Sequence, residues 1–276
     1  MDDEHAGAER SLPPLVNAHT HCADAGVHPT PRMTIEELVA PPDGLKHRYL
    51  RETPREVLVE DMRRYSDLSR SNGISKFVDF REGGIEGVKM LREASPDAFI
   101  MGRPVSPEFD PEEMASLLEA ADGIGLPSLT DMGRKYTEAC ADAAHKARKP
   151  FAIHVSERIR EDIDFILKLK PTFVVHMAQA TRWDLSLCAD FDVPVVICPR
   201  SNSFFGIAPP IFDMIDAGVP LALGTDNAML CDPDLVAEMA ELATLLSIDD
   251  LNPGLARDIL VDGSALMARK LGLKLD

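Results

Sequence analysis

Short apolar runs alternate with longer amphipathic stretches from about residue 14 onward. Runs rich in Val, Ile, Leu and Phe, bounded by Gly, Pro, Asn or Asp, read as strands. They fall at 14–18, 75–80, 98–103, 123–129, 151–155, 172–177, 193–198 and 220–224. Helical stretches follow them at 54–70, 85–94, 111–121, 136–148, 159–169, 182–190, 210–217 and 232–246, with a further helix at 255–271. Cap chemistry supports several of these. Thr53 and Pro54 suit N-cap and N1 positions, Asp110 precedes Pro111, Asn72-Gly73 stops a helix, and Pro233 suits another N1. The run Val193-Pro194-Val195-Val196-Ile197 is apolar throughout, as in a strand buried on both faces.

Alternating strands and helices imply parallel strands joined by crossovers. Eight such units in 276 residues match a closed (β/α)8 barrel, the TIM barrel of the α/β class. An open doubly wound sheet is the alternative. It calls for a Gly-rich phosphate loop after the first strand, where this chain has His19-Thr20-His21. Residues 1–12 read as a polar N-terminal arm and 13–276 as a single barrel domain. The stretch from Cys22 to Thr53, rich in Pro, Gly and charge, is long for a connection and reads as a lid or binding loop. Its His28, Lys46, His47 and Arg48 are candidates for covering a site.

Composition narrows the partners. A net charge of −17 argues against nucleic acid and anionic membranes, whose phosphates would be repelled. The 5 cysteines are scattered without a Cys-x-x-Cys pair, which suggests reduced thiols and no thiolate zinc site. The acidic start Met1-Asp2-Asp3-Glu4 leads into no apolar signal segment, and no apolar run is long enough to span a bilayer. The expectation is a cytoplasmic protein acting on a small molecule. A closed barrel has no free sheet edge, so any homo-oligomer would form through helices or the first loop.

The chemistry concentrates at predicted strand ends. His19 and His21 stand two residues apart, which in a strand turns both rings to one face. His154 and His176 end the fifth and sixth strands, and Asp226 follows the eighth. In a parallel barrel these ends share one rim, where active sites sit. If the barrel closes, His19, His21 and Asp226 can share an ion, with His154 reaching across the mouth. Imidazoles plus a carboxylate suit one divalent cation, zinc first, with iron or manganese also compatible. Read singly, His176 is also a plausible core histidine, Asp226 a turn cap, and Glu157 a helix-dipole partner.

The set Asn17-Ala18-His19-Thr20-His21, His154-Val155-Ser156-Glu157, His176, Cys198-Pro199-Arg200-Ser201-Asn202, Gly206-Ile207-Ala208-Pro209 and Leu223-Gly224-Thr225-Asp226-Asn227 resembles the amidohydrolase superfamily. The resemblance is to its deaminase and chlorohydrolase branch, which includes S-adenosylhomocysteine/methylthioadenosine, guanine and cytosine deaminases and triazine hydrolases. It spans residues 14–272 and is densest between 151 and 228. It implies a mononuclear centre with His19, His21, His154 and Asp226 as ligands, Asp226 also acting as base, Glu157 as proton shuttle, and His176 polarising substrate or positioning water. No Lys ends the fourth strand, where binuclear members carry a bridging lysine.

Two departures bear on substrate. The chain looks like a bare barrel without the accessory β-sandwich of many relatives, and Ile197 stands where several deaminases have His. Substrate contacts are assigned to Arg81, Glu82, Arg103, Arg200 and Asn202. The arginines suit a carboxylate or ribose, and Glu82 suits hydroxyls. The expected activity is an aminohydrolase of a purine, pyrimidine or related nitrogen heterocycle. A cyclic-amide or amide hydrolase at the same site, and a non-catalytic metal-binding barrel, are the alternatives.

Overall fold

The computed structural model describes residues 12–30, 33–40, 42–248 and 250–275. The arm expected at 1–12 lies outside these, apart from Leu12. Parallel strands run β1 (Leu15–His21), β2 (Ile74–Arg81), β3 (Phe99–Gly102), β4 (Gly123–Leu126), β5 (Phe151–Val155), β6 (Phe173–His176), β7 (Val195–Ile197), β8 (Leu221–Leu223) and β9 (Asp226–Asn227). Each of the first seven pairs with the next, and β9 pairs with β1. Since β9 continues β8 after Gly224-Thr225, one short segment holds β7 on one side and β1 on the other. The ring therefore closes, as the eightfold alternation predicts. All strands among the described residues belong to this sheet, so no β-sandwich accompanies it there.

Helices cover the outside. After a 3-10 turn at Cys22–Asp24 come α1 (Ile35–Val39), α2 (Leu45–Glu52), α3 (Arg55–Ser71), α4 (Gly84–Ala94), α5 (Pro111–Ala120), α6 (Leu129–Met132) and α7 (Arg134–Lys146). The second half carries α8 (Ile163–Lys168), α9 (Arg182–Asp190), α10 (Pro199–Phe205), α11 (Ile211–Asp216), α12 (Leu235–Ile248) and α13 (Leu255–Leu271). None among the described residues is long and apolar enough to cross a membrane. Asp110 caps α5 as expected, its carboxylate accepting from the Glu112 and Glu113 amides.

Other boundaries differ from expectation. Pro54 is the N-cap of α3 while Thr53 ends α2, so the long first connection holds two short helices. Pro233 precedes its helix rather than opening it; Asp234 Oδ1 accepts from the Val236 and Ala237 amides at the start of α12. The helix expected from 159 begins at Ile163, where Asp162 caps it.

Alternation along the strands makes two cores. Val16, Val78, Phe80, Met101, Ala152, Phe173 and Val196 fill the barrel interior. Leu15, Phe77, Phe151, Ile153 and Val174, on the opposite faces, pack under the helices. Burial of this kind contributes roughly 25 cal/mol per Å² of apolar surface. It fixes the frame on which the rim is mounted.

Candidate metal centre

β1 departs from regular alternation at the rim. Its register against β2 shifts between Asn17 and Thr20. An irregularity of this kind re-aims side chains. Ala18 belongs to the barrel interior, yet the His19 ring also faces inward, 4.5 Å from the Phe80 ring. Beyond the shift, His21 presents its ring to the same centre. Three other strand ends are bent by non-glycine residues in the left-handed region: Ser156 (φ 51°), His176 (φ 76°) and Asp226 (φ 59°). Such conformations are costly and persist where surrounding structure enforces them.

Four of the predicted ligand side chains meet. His154 Nε2 lies 3.2 Å from His19 Nε2 and 3.3 Å from His21 Nε2. Asp226 Oδ1 lies 3.3 Å from His19 Nε2 and 3.8 Å from His21 Nε2. The opposite ring nitrogens settle the tautomers. His154 Nδ1 donates to the Leu126 carbonyl at 2.8 Å, and His21 Nδ1 faces the Phe80 carbonyl at 3.0 Å. A carbonyl only accepts, so both protons sit on Nδ1 and both Nε2 lone pairs point at each other. His21 and His154 thus turn unprotonated Nε2 atoms toward His19 Nε2 and the Asp226 carboxylate, a set of donor types that suits a divalent cation.

Electrostatics agree. Burial, then the three neighbouring histidines, holds His154 well below the usual histidine range. Burial likewise takes His19 down to about 4 against the pull of Asp226. Asp226 is buried, yet the His19 bond and the surrounding imidazoles hold it well below the carboxylate range. Neutral imidazoles beside an ionised carboxylate are the protonation states metal ligation needs.

His176 is also within reach; its ring nitrogen groups with His19 and His154, and separately with Cys198 and Asp226. Burial keeps the Cys198 thiol protonated, which makes it a poor ligand beside these imidazoles. Burial takes His176 down to about 4. Its Nε2 faces Glu157 Oε1 across 3.7 Å. Burial, and then the charge of Asp226, pushes Glu157 up to about 8. Glu157 is thus biased toward its protonated form and stands at the cavity beside the converging donors.

The cavity above, about 710 Å³ with its open mouth, is lined by His21, His154, Glu157, His176 and Asp226. Glu82 and Arg103 line it too, as expected. Arg81, Arg200 and Asn202 do not. Arg81 is 2 % exposed and lies beneath the rim, 3.4 Å from Asp79 and 2.7 Å from Glu82. Arg200 grips Glu238 at 2.7 Å and the Asp232 carbonyl at 2.6 Å, tying α10 to α12. Asn202 is buried in the first turns of α10, its backbone N–H donating to the Cys198 carbonyl. Glu82 is also less free than expected, because Lys46, Arg81 and His21 all approach its two oxygens.

Sequence reasoning missed three supports. Ser201 Oγ donates to Asp226 Oδ2 at 2.6 Å. Asn17 accepts from the Thr225 amide at 3.0 Å and donates to the Thr225 hydroxyl at 2.8 Å, closing the seam between the first and eighth strand segments. Lys46, given above only as a covering group, is buried against Glu82. The first two lie inside the motifs already quoted, where their position beside ligands was the available signal.

No family model matches the chain. An uncharacterized protein of Methanocaldococcus jannaschii is 33% identical, covering 86% of this chain and 68% of its own length. A protein of Archaeoglobus fulgidus, named provisionally as an aminohydrolase, is 33% identical over 85% of this chain and 68% of its own. A 5-methylthioadenosine/S-adenosylhomocysteine deaminase of Halobacterium salinarum is 32% identical over 46% of this chain and 35% of its own. The chain thus spans about two thirds of the first two relatives.

Among solved structures, a zinc-bound adenosine deaminase from Xanthomonas campestris superposes with a TM-score of 0.76 at 19% identity, covering 95% of this chain and 67% of that one. An atrazine chlorohydrolase from Arthrobacter aurescens complexed with zinc gives 0.76 at 17% identity, over 95% and 71%. These two establish the barrel fold alone. With the relatives and the rim motifs they lead to one assignment: the chain belongs to the amidohydrolase superfamily.

Proposed function

We propose that this barrel is a metal-dependent aminohydrolase that removes an amino group from a purine, pyrimidine or related nitrogen heterocycle. The reading extends to a single domain over 13–276 in a cytoplasmic protein with one zinc ion. The observation that carries it is the convergence of His19, His21, His154 and Asp226, with the His21 and His154 Nε2 atoms free of protons and Glu157 raised by burial at the same cavity. The relatives named as an aminohydrolase and a deaminase support the same reaction class.

His19, His21, His154 and Asp226 would hold the cation. Once bound, it supplies Lewis acidity and lowers the pKa of water toward about 7. Asp226, ionised and fixed by Ser201, accepts a proton on the metal side. Glu157 holds its proton over the cavity and hands it to the ring nitrogen or the departing amine. His176, kept neutral by burial, orients the group facing Glu157. Arg103, just past the end of β3, reaches the cavity and grips an anionic or hydroxyl group of the substrate.

The test is elemental analysis followed by ammonia detection against a panel of amino-heterocycles and cyclic amides, with zinc, iron or manganese supplied. Glu157→Gln should lower turnover by at least about a hundredfold, the lower range for a general acid–base group, while the bound metal stays. A native protein that takes up no cation in excess, or a Glu157→Gln variant of near-native rate, would sink this assignment.

A further inference from the structure

The first long connection reaches the metal centre through a buried carboxylate. Glu82 Oε1 lies 3.0 Å from His21 Nδ1 and 2.5 Å from Lys46 Nζ, and Glu82 Oε2 takes Arg81 at 2.7 Å. Lys46 comes from α2, inside the connection, and also lies 3.8 Å from Asp24. The Lys46 and Glu82 side chains are almost wholly buried. Glu82 was assigned to substrate hydroxyls on sequence grounds, but both of its oxygens are engaged by protein. Its geometry is that of a carboxylate standing behind a ligating imidazole.

We infer that Glu82 is a positioning residue for the cation, holding the Nδ1–H form of His21, and that Lys46 keeps it in place, so α2 is part of the cation-binding apparatus. This rests on the metal assignment above. The Phe80 carbonyl, at 3.0 Å, faces the same Nδ1–H. The carboxylate adds negative charge that makes Nε2 a stronger donor, and removing such a partner typically costs about 10–100-fold in metal affinity. Lys46 separates two causes by sign. Acting through its charge alone, its loss would tighten cation binding. Acting as an anchor for Glu82, its loss weakens binding.

The experiment titrates native protein and the variants Glu82→Gln, Glu82→Asp, Lys46→Met and Lys46→Arg with zinc against a chromophoric chelator. Cobalt absorption spectra of the same proteins report ligand geometry independently of activity. We expect Glu82→Gln to lose about 10–100-fold in zinc affinity with an altered cobalt spectrum. Lys46→Met should lose affinity in the same direction, and Lys46→Arg should restore it. Zinc affinity of Glu82→Gln within twofold of native, with an unchanged cobalt spectrum, overturns the role of Glu82. Tighter zinc binding by Lys46→Met overturns the anchoring role of Lys46. If Glu82→Gln fails to fold, the Lys46→Met and Lys46→Arg pair decides alone. Native protein that binds no zinc refutes the metal assignment instead, a separate outcome.

Discussion

The two flanks of the metal centre are built from different materials. On the Asp226 side, the supports are neutral and come from β1, the segment after β8 and the first turn of α10: Asn17 clasps Thr225, Ser201 holds Asp226, and Gly224 lets β8 pass against β1. On the His21 side, the supports are charged and only one comes from the long first connection: Lys46 of α2 and Arg81 at the end of β2 converge on Glu82. The first flank shares its contacts with barrel closure, so fold and site cannot be separated there. The second depends also on α2, which lies outside the strands that close the barrel. A motif therefore announces the first flank, whereas only the folded chain reveals the second.

The largest effect is expected where fold and site coincide. An alanine Cβ at Gly224 would stand 2.8 Å from His19 Cβ and 2.9 Å from its carbonyl oxygen. Gly224→Ala should cost about 1–3 kcal/mol in urea unfolding and weaken zinc binding by at least about tenfold, because the strand that must yield carries a ligand. A variant with lowered stability and native zinc affinity would break the claim that closure and site are one structure.

A smaller effect tests the neutral support alone. Ser201→Ala removes the 2.6 Å donor from a buried carboxylate oxygen and should cost about 1–3 kcal/mol. Denaturant titration checks it. Native-like stability would place the fixing of Asp226 elsewhere.

The smallest effect is read at Glu157, which feels both flanks. After burial, Asp226 raises it, whereas Arg158, His21 and Lys46 pull it down. With a folded value of about 8 against an unfolded one near 4.5, the native state binds the extra proton between these limits. In metal-free protein Glu157 therefore contributes stability that is complete below about pH 4.5 and lost as pH rises through 8. Burial of His19 and His176, at about 4, acts oppositely below about 6.5. Comparing urea midpoints of Glu157→Gln and native protein from about pH 5 to 9 isolates the first contribution. Parallel curves would remove Glu157 from the account.

Much of this fold was legible because burial on both faces writes continuous apolar runs. The fifth strand and the helices at 182–190 and 255–271 stand where their patterns put them. The proposed ligands were legible because they sit directly after such runs, and the structure brings their side chains together. What escaped has physical causes. β1 continues past Ala18 through polar residues because its partners are β2 and the late β9, which no local pattern marks. α6 and α10 are too short for periodicity to show. Arg81 and Arg200 carry the charge expected of substrate contacts, yet the protein's own carboxylates claim both. Spacing cannot tell a cation that faces a ligand from one that faces Glu238.

The segment from Leu221 to Asn227 touches both ends of the strand order. A nascent chain lacking it can gather three imidazoles but no matching carboxylate. The one carboxylate of the proposed donor set thus waits on the last piece of the ring, and loading with metal would record that the polypeptide has finished shutting.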